Sequence, residues 1–294
     1  MHHEKRKEPL TEKDYWNIRD KYPEASLNQM VYSFLSQENH NRSQLKSKER
    51  QTVLKFYPSS IGMSDHDIVL QMMGYIGKPE RGETIMVLEN GTSFHNRMEA
   101  IFEDMGIMIA PELSLKHEEL CISGRSDAII WNFLKEADEP DGEIIEVKDL
   151  AGNVIYHGPE NYVLLVEFKS ISENGFYGLR KSKPKEAHEQ QLQLYFYLTG
   201  IKKGIVYYEN KNNQKAIEYI VDRDEEVIQG VVARIRKLLE HARTGNIPEP
   251  DYQPTDFKGR YSRFLDMAYP NMNPVSFADL FKKEEDVSET ELPF

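Results

Sequence analysis

Apolar residues recur at helical spacing in several stretches of the chain, and these stretches predict its helices. Residues 11–50 are mostly polar with scattered apolar positions, which suits one or two amphipathic helices. Thr92 or Ser93 is expected to cap the helix that begins beside them, and Gly106 is expected to end it. In all, the periodicity predicts helices over about 65–74, 91–106 and 185–198, and a long helix that ends near Arg243.

Runs of apolar and alternating residues predict the strands. Four strands are expected at about 107–115, 119–131, 203–209 and 215–221. Residues 143–148 and 153–157 predict a β-hairpin, and the polar segments on either side mark residues 136–161 as an insertion. Residues 162–169 form a nearly continuous apolar run, which is typical of a central strand covered on both faces.

This order of helices and strands indicates an α/β domain built on one sheet. We expect a helical N-terminal region over residues 1–54, a core over 55–245, a C-terminal extension over 246–281, and a tail over 282–294. The tail is acidic and is expected to be disordered.

Composition narrows the class of protein. Of the 294 residues, 39% are hydrophobic and 29% charged, as in an ordinary globular protein, and no apolar run is long enough to cross a membrane. The single cysteine, Cys121, excludes an intramolecular disulfide and an all-cysteine metal cluster, so a cytoplasmic location is expected.

The formal net charge of −12 counts against nucleic-acid binding, which depends on local basic surfaces. Three stretches could supply such a surface or could be ordinary solvated faces. They contain Lys181, Lys183 and Lys185; Lys202 and Lys203; and Arg234, Arg236 and Lys237.

The strongest chemical signal combines Asp127 with the triplet Glu167-Phe168-Lys169. Because side chains alternate along a strand, Glu167 and Lys169 share a face. If the two strands are neighbours, Asp127 and Glu167 could share a divalent cation, for which carboxylate oxygens suit Mg²⁺ or Mn²⁺. Lys169 could then position a water molecule and offset charge in a transition state. The pattern indicates metal-assisted phosphodiester hydrolysis.

Each part of this pattern also has an ordinary structural interpretation. An aspartate after Gly-X-X commonly closes a turn, and Glu-X-Lys is a frequent triplet. A second copy, Glu146-Val147-Lys148, occurs in this chain. We assign that copy to the hairpin because its strand alternates and lacks the apolar run.

Two helical stripes add polar groups that could join the site. His95 and Glu99 are four residues apart and therefore lie on one helical face, although a lone histidine is more often packed or exposed. His188, Gln191 and Tyr195 recur at spacings of three and four. Gln191 could hold a phosphate or a water molecule, and Tyr195 could pack against the sheet or touch DNA.

Four motifs in order resemble the PD-(D/E)XK superfamily, in particular its RecB-like nuclease domain. They are Gly-Thr-X-X-His at 91–95, Gly-X-X-Asp at 124–127, Glu-X-Lys at 167–169 and Gln-X-X-X-Tyr at 191–195. The resemblance covers roughly residues 55–245. It implies a restriction-endonuclease-like fold, with a central mixed sheet flanked by helices, and a DNA substrate.

The resemblance also implies roles for individual residues. His95, Asp127, Glu167 and the Phe168 carbonyl would bind the metal, with Glu99 as a further candidate. Lys169 would be catalytic together with Asp127 and Glu167. Gln191, Tyr195 and His188 would contact the substrate.

The chain departs from its relatives where many of them carry an iron–sulfur cluster. Met63, Ser64 and Asp65 stand where the first cysteine is expected, and no cysteine follows Pro250. We therefore expect no cluster, and expect packing to hold the two ends of the domain together.

The last residues resemble the acidic tip of bacterial single-stranded DNA-binding proteins. Leu292, Pro293 and Phe294 follow acidic residues, so that Phe294 and its carboxylate could bind a partner that reads such tips. A solubilising tail with a chance ending is the alternative.

Together these features predict a Mg²⁺- or Mn²⁺-dependent deoxyribonuclease in a bacterial or phage-infected cell. An exonuclease acting on DNA ends or single strands is favoured, in recombination, repair or phage DNA metabolism. The alternative is a catalytically silent adaptor that keeps the nuclease fold, binds DNA and recruits replication or repair proteins.

Overall fold

The computed structural model describes residue 20, residues 26–179 and residues 183–270. Its helices there are α1 (Leu27–Thr52), α2 (Asp65–Met72), α3 (Gly82–Asp104), α4 (Glu173–Tyr177), α5 (Glu186–Thr199), α6 (Glu225–Thr244), α7 (Phe257–Tyr261) and α8 (Leu265–Ala268). Its strands are β1 (Met108–Pro111), β2 (Ser114–His117), β3 (Ile122–Arg125), β4 (Ala128–Trp131), β5 (Ile144–Lys148), β6 (Val154–Pro159), β7 (Val163–Ile171), β8 (Lys203–Asn210) and β9 (Ala216–Asp222).

Five strands form the central sheet in the order β1-β4-β7-β8-β9. β7 and β8 are parallel, and the other neighbours are antiparallel. The parallel pair is connected through α4 and α5, since parallel strands need a crossover. β7 lies in the middle, and its residues from 163 to 168 are buried, as the apolar run predicts.

Helices cover both faces of this sheet. Val166 and Phe168 pack with Phe94 and Met98 of α3 on one face. Val163 and Leu165 join Leu192, Tyr195 and Phe196 of α5 in the core on the other face. A further apolar cluster joins α2 and α6 to Leu194 of α5, so α5 lies between the sheet and a second helical layer. The expected mixed sheet flanked by helices is confirmed.

The prediction of two long strands at 107–115 and 119–131 is wrong, because each of these runs forms two short strands. β1 and β4 pair within the central sheet, whereas β2 and β3 form a separate two-stranded sheet. The chain turns at Glu112, whose φ of 44° is left-handed, and Ser126 donates its N–H to the Leu113 carbonyl. The bend thus separates β1 from β2 in the first run and β3 from β4 in the second, and it directs β2 and β3 away from the central sheet.

The expected start of the helix at Thr92 or Ser93 is also wrong. α3 begins at Gly82, and Ser93 lies inside it, where its hydroxyl donates to the Glu89 carbonyl. Gly91 does not interrupt the helix, since an interior glycine costs only about 1 kcal/mol relative to alanine. Burial of Phe94 and Met98 favours helix across this point. The helix ends at Asp104, close to the expected Gly106, whose φ of 71° is left-handed.

The predicted hairpin is present as β5 and β6, which form a separate two-stranded sheet between β4 and β7 in the chain. Glu146 and Lys148 of the second Glu-X-Lys copy are exposed there and pair with each other at 2.5 Å. This copy therefore lies outside the central sheet.

Some expectations fall outside the described residues. These concern Lys181, residues 1–19 and 21–25 of the N-terminal region, and residues 271–294, which include Leu292, Pro293 and Phe294. Of the helices that are described, none combines the length and apolar character needed to cross a bilayer.

The C-terminal extension is fastened to the core by a buried carboxylate. Asp67 of α2 is 4% exposed, and it accepts hydrogen bonds from the Tyr252 hydroxyl at 2.8 Å and the Ser262 hydroxyl at 2.6 Å. His66 lies against the same carboxylate at 2.9 Å. These contacts join α2 to the segment that follows Pro250.

Replacing Asp67 should therefore loosen the extension. Asp67→Ala leaves two buried hydroxyls without their acceptor, and we expect the free energy of unfolding to fall by about 2–4 kcal/mol. Equilibrium urea unfolding measures this. Asp266→Ala is the control in the same region, because Asp266 makes an exposed ion pair with Lys78, worth less than about 1 kcal/mol. Equal stability of the two variants would contradict this role for Asp67.

Candidate active site

The pairing of β4 with β7 brings Asp127 beside Glu167. Ala128 pairs with Val166 in this antiparallel ladder, so the next residues outward are Asp127 and Glu167. The Phe168 N–H donates to Oδ2 of Asp127 at 2.7 Å, which fixes the carboxylate at the point where β4 begins. Two residues far apart in sequence thus meet at one end of the strand pair.

Glu167, Lys169 and Gln191 form a closed hydrogen-bonded triangle. Lys169 donates to Oε1 of Glu167 at 2.6 Å and to Oε1 of Gln191 at 3.1 Å. Gln191 donates its amide N–H to the same Glu167 oxygen at 2.7 Å. Gln191 comes from α5, so the helix holds the lysine and the carboxylate in one arrangement.

Glu167 lies in an electrostatically unfavourable position. Its side chain is 2% exposed, and its Oε2 is buried without a hydrogen-bond partner. Burial, followed by the neighbouring Asp127 carboxylate, raises the pKa of Glu167, and Lys169 opposes this shift. An added positive charge beside the two carboxylates would stabilise the ionised form.

His95 and Glu99 reach the same region from α3. Nδ1 of His95 lies 3.2 Å from Oδ1 of Asp127. Burial lowers the pKa of His95, but the hydrogen bond and charge of Asp127 outweigh it, so the net pKa is raised. Burial and then Glu112 raise the pKa of Glu99, whose Oε1 lacks a partner. Asp127 therefore lies between His95, which comes from α3, and Glu167, which lies on the neighbouring strand β7.

Tyr195 is a buried part of the scaffold. Its side chain is 2% exposed, and its hydroxyl donates to the Arg125 carbonyl at 2.7 Å. Gly124, which precedes Arg125 in β3, has no room for a side chain, because a Cβ there would lie 2.7 Å from Cγ of Pro58. The turn before Asp127 is thus held by α5 and by the segment at Pro58. The sequence pattern contained Gly124 and Tyr195 but did not indicate the hydrogen bond from Tyr195 to the neighbouring Arg125 carbonyl.

His188 lies beside this cluster on α5. Its Nδ1 is 2.8 Å from the Tyr208 hydroxyl, which also accepts the Lys185 N–H at 3.0 Å. The hydroxyl has one proton to donate, so Nδ1 of a neutral His188 accepts it and Nε2 carries the ring proton. His188 is thus oriented by β8 rather than by Glu167 or Asp127.

The donor groups fit a hard divalent cation. Within the described residues, no three His, Cys, Asp or Glu side chains are gathered tightly enough to enclose an ion. Mg²⁺ needs fewer, because it usually keeps several waters beside one or two carboxylates. The Phe168 carbonyl adds an oxygen on the Asp127 side of β7, because a strand residue directs its N–H and C=O to the same neighbour. The unpartnered Glu167 oxygen completes this set.

Comparisons with known proteins give only distant likenesses. No protein-family model matches the chain, and no curated protein does. Among solved structures, the crystal structure of SSO0001 is 16% identical with a TM-score of 0.44, over 83% of this chain and 98% of that one.

Two exonucleases are also similar in outline. The alkaline exonuclease LHK-Exo from Laribacter hongkongensis is 12% identical with a TM-score of 0.43, over 65% of this chain and 89% of that one. A phage-related exonuclease from Haemophilus somnus 129PT is 13% identical with a TM-score of 0.37, over 66% and 96%. At such low sequence identities and TM-scores, these likenesses do not indicate an activity for this chain.

We expect the His188 ring to stay neutral in the folded protein. Burial, then the charges of Lys169 and Lys185, lower the pKa of His188 to about 3. NMR of the imidazole should show one neutral form, protonated on Nε2, from pH 8 to about pH 5, whereas the urea-unfolded chain should titrate near 6.5.

The same shift affects stability. Because the unfolded chain binds this proton more readily, the contribution of His188 to the free energy of unfolding declines as the pH falls from about 6.5 towards about 3. A folded-state titration of His188 near pH 6.5 would contradict the arrangement described here.

Proposed function

We propose that this chain is a divalent-metal-dependent nuclease of the PD-(D/E)XK superfamily that hydrolyses DNA phosphodiester bonds. One observation carries the proposal: Asp127 and Glu167 lie side by side on paired strands, and Lys169 is hydrogen-bonded to Glu167. The four-motif resemblance points to the same residues. Its RecB-like subtype, and action on DNA ends or single strands as an exonuclease, are the finer parts of the proposal.

The metal would be held by Asp127, Glu167 and the Phe168 carbonyl, with His95 or Glu99 as an additional ligand. When bound, Mg²⁺ or Mn²⁺ supplies Lewis-acid polarisation of the phosphate and lowers the pKa of a bound water. Glu167 keeps a free oxygen for this purpose, and Asp127 is held in place by the Phe168 N–H.

Lys169 supplies a positive charge beside the two carboxylates. Its ammonium has three protons, and Glu167 and Gln191 use two of them. The third remains for a water molecule or a phosphate oxygen, whose developing negative charge the ammonium offsets. Gln191 acts here as a positioning residue, because its amide bridges Lys169 and Glu167 and is itself 5% exposed.

The alternative is a non-cleaving adaptor with the same fold. The complete set of Asp127, Glu167 and Lys169 favours the enzyme, because an adaptor has no need of a buried carboxylate beside a second one. Such a pair is costly to keep without a charged partner.

Activity assays on DNA test this directly. We expect the wild type to cleave linear or single-stranded DNA with Mg²⁺ or Mn²⁺ and to be inactive with EDTA. Asp127→Asn and Lys169→Ala should each lower the cleavage rate about 100-fold or more, since each removes a charge at the reacting centre. Rates come from the loss of labelled substrate on gels.

Lys148→Ala is the matched control, because it removes the lysine of the second Glu-X-Lys copy in the exposed hairpin. It should cleave like the wild type. Absence of cleavage by the wild type with every substrate and metal would favour the adaptor. Cleavage that survives both active-site changes would show that the site lies elsewhere.

The C-terminal residues suggest a protein partner as well. We propose that Leu292, Pro293 and Phe294 bind replication or repair proteins that recognise the tip of single-stranded DNA-binding proteins. Phe294→Ala should weaken binding to such a partner at least tenfold in calorimetry, because it removes the apolar anchor. A matched control, Phe257→Ala, should bind normally. Equal affinities of both variants would exclude the tip as a binding element.

A further inference from the structure

A cavity of about 600 Å³ lies between α1 and α7, and none of the proposed catalytic residues lines it. This volume is within the range of small-ligand sites. Five cationic side chains line it: Arg42, Lys46, Arg50, Lys258 and Arg263. Among the described residues two carboxylates line it, Asp67 and Glu80; Asp67 is bonded to Tyr252 and Ser262, and Glu80 pairs with Arg263. The cavity is thus basic within a chain whose net charge is −12.

Arg42, Lys46 and Arg50 form a basic stripe along α1. Their spacing of four residues puts them on one helical face. In the described part of the chain, no carboxylate lies within ion-pair distance of any of the three. Arg50 stacks over the Tyr57 ring at 4.9 Å, and its Nε is buried without a hydrogen-bond acceptor. Like charges at this spacing repel one another, so an anion in the cavity would stabilise them.

The opposite wall carries exposed aromatic rings. Phe257 and Tyr261 of α7 are 71% and 61% exposed, and their ring centroids are 4.8 Å apart. Tyr75, also on the cavity wall, is 42% exposed. Large apolar rings left in water beside unpaired cations are the arrangement that binds single-stranded nucleic acid, in which bases stack and phosphates meet basic groups.

Three cations of the basic stretches noted in the sequence, Lys202, Lys203 and Arg234, already have acidic partners. Lys202 is bonded to Glu143 and Glu160, and Lys203 lies 3.7 Å from Asp222. Arg234 donates to Asp65 and to the carbonyls of Ile61 and Met63, so it fastens α6 to the start of α2. Within the cavity, Lys258 pairs with Asp251 and Arg263 with Glu80, so the cations that differ are the three on α1.

We propose that this cavity is a second DNA-binding site, which holds a single-stranded segment outside the catalytic centre. Phosphates lie against Arg42 and Lys46, and bases stack on Phe257 and Tyr261. The choice of DNA rests on the proposed nuclease function. The site also lies close to α5: Gly62 lines the cavity, and a Cβ on Gly62 would be 2.9 Å from Ala187, which precedes His188.

The test measures binding of a fluorescein-labelled oligothymidylate by anisotropy, in EDTA and at several salt concentrations. Lys46→Glu should weaken binding and reduce the slope of log affinity against log salt by about 0.7, the value for one phosphate contact on a single strand. Lys48→Glu is the matched control, with the same charge change on the same helix but outside the cavity. It should bind like the wild type.

The aromatic wall is tested in parallel. Tyr261→Ala should weaken binding about five- to a hundredfold, because one stacking partner is lost. Tyr261→Phe keeps the ring and should bind normally. Circular dichroism melting of each variant shows whether the fold is kept.

Three outcomes would overturn the proposal: equal affinities of Lys46→Glu and Lys48→Glu, equal losses in the two Tyr261 variants, or oligothymidylate binding no tighter than dTMP. Failure of the nuclease proposal is separate. If the wild type binds the oligonucleotide through these residues but cleaves no DNA, the cavity proposal stands and the nuclease proposal is refuted. Cleavage with unchanged binding in every cavity variant refutes the cavity alone.

Discussion

The antiparallel pairing of β4 with β7 determines the geometry of the whole candidate site. It aligns Asp127 with Glu167, and it leaves the Phe168 N–H free of a strand partner, so that this group binds the Asp127 carboxylate at 2.7 Å. Alternation along β7 then sends Phe168 towards α3 and Glu167 towards α5. A slip of one residue would exchange these faces and bury Glu167 under α3. The register of one strand pair thus links the apolar core to the chemistry.

That register also requires the protein to bury a carboxylate. Removing an ion from water costs several kcal/mol even after relaxation, and a second carboxylate nearby adds to the cost. Lys169 and Gln191 offset part of it through one oxygen of Glu167, while the other oxygen has no partner. A fold selected only for stability would replace such a group with an apolar residue. The cation that we propose for Asp127 and Glu167 would offset this cost.

Much of this could be predicted from the sequence, because it depends on local periodicity. The apolar run at 162–169 identifies the central strand, and alternation within it places Glu167 and Lys169 on one face. The order of motifs then points to Asp127. Other features depend on tertiary contacts that no local pattern contains. The left-handed turn at Glu112 interrupts the runs that were predicted as long strands. Packing of Phe94 in the core keeps α3 helical across Gly91. The bonds of Gln191 to Lys169 and Glu167 also need the position of α5 over the sheet.

The basic cavity shows why charge runs along a sequence are a poor guide to a binding surface. Lys202, Lys203 and Arg234 stand in conspicuous runs, yet each finds an acidic partner once the chain is folded. Arg42 and Lys46 are separated by uncharged residues, and they face the cavity wall formed by α7, which comes much later in the chain. What distinguishes them is that, among the described residues, no carboxylate lies within ion-pair distance of either. An acidic protein can therefore bind an anionic polymer where its own folding leaves cations unpaired, and net charge alone does not exclude this.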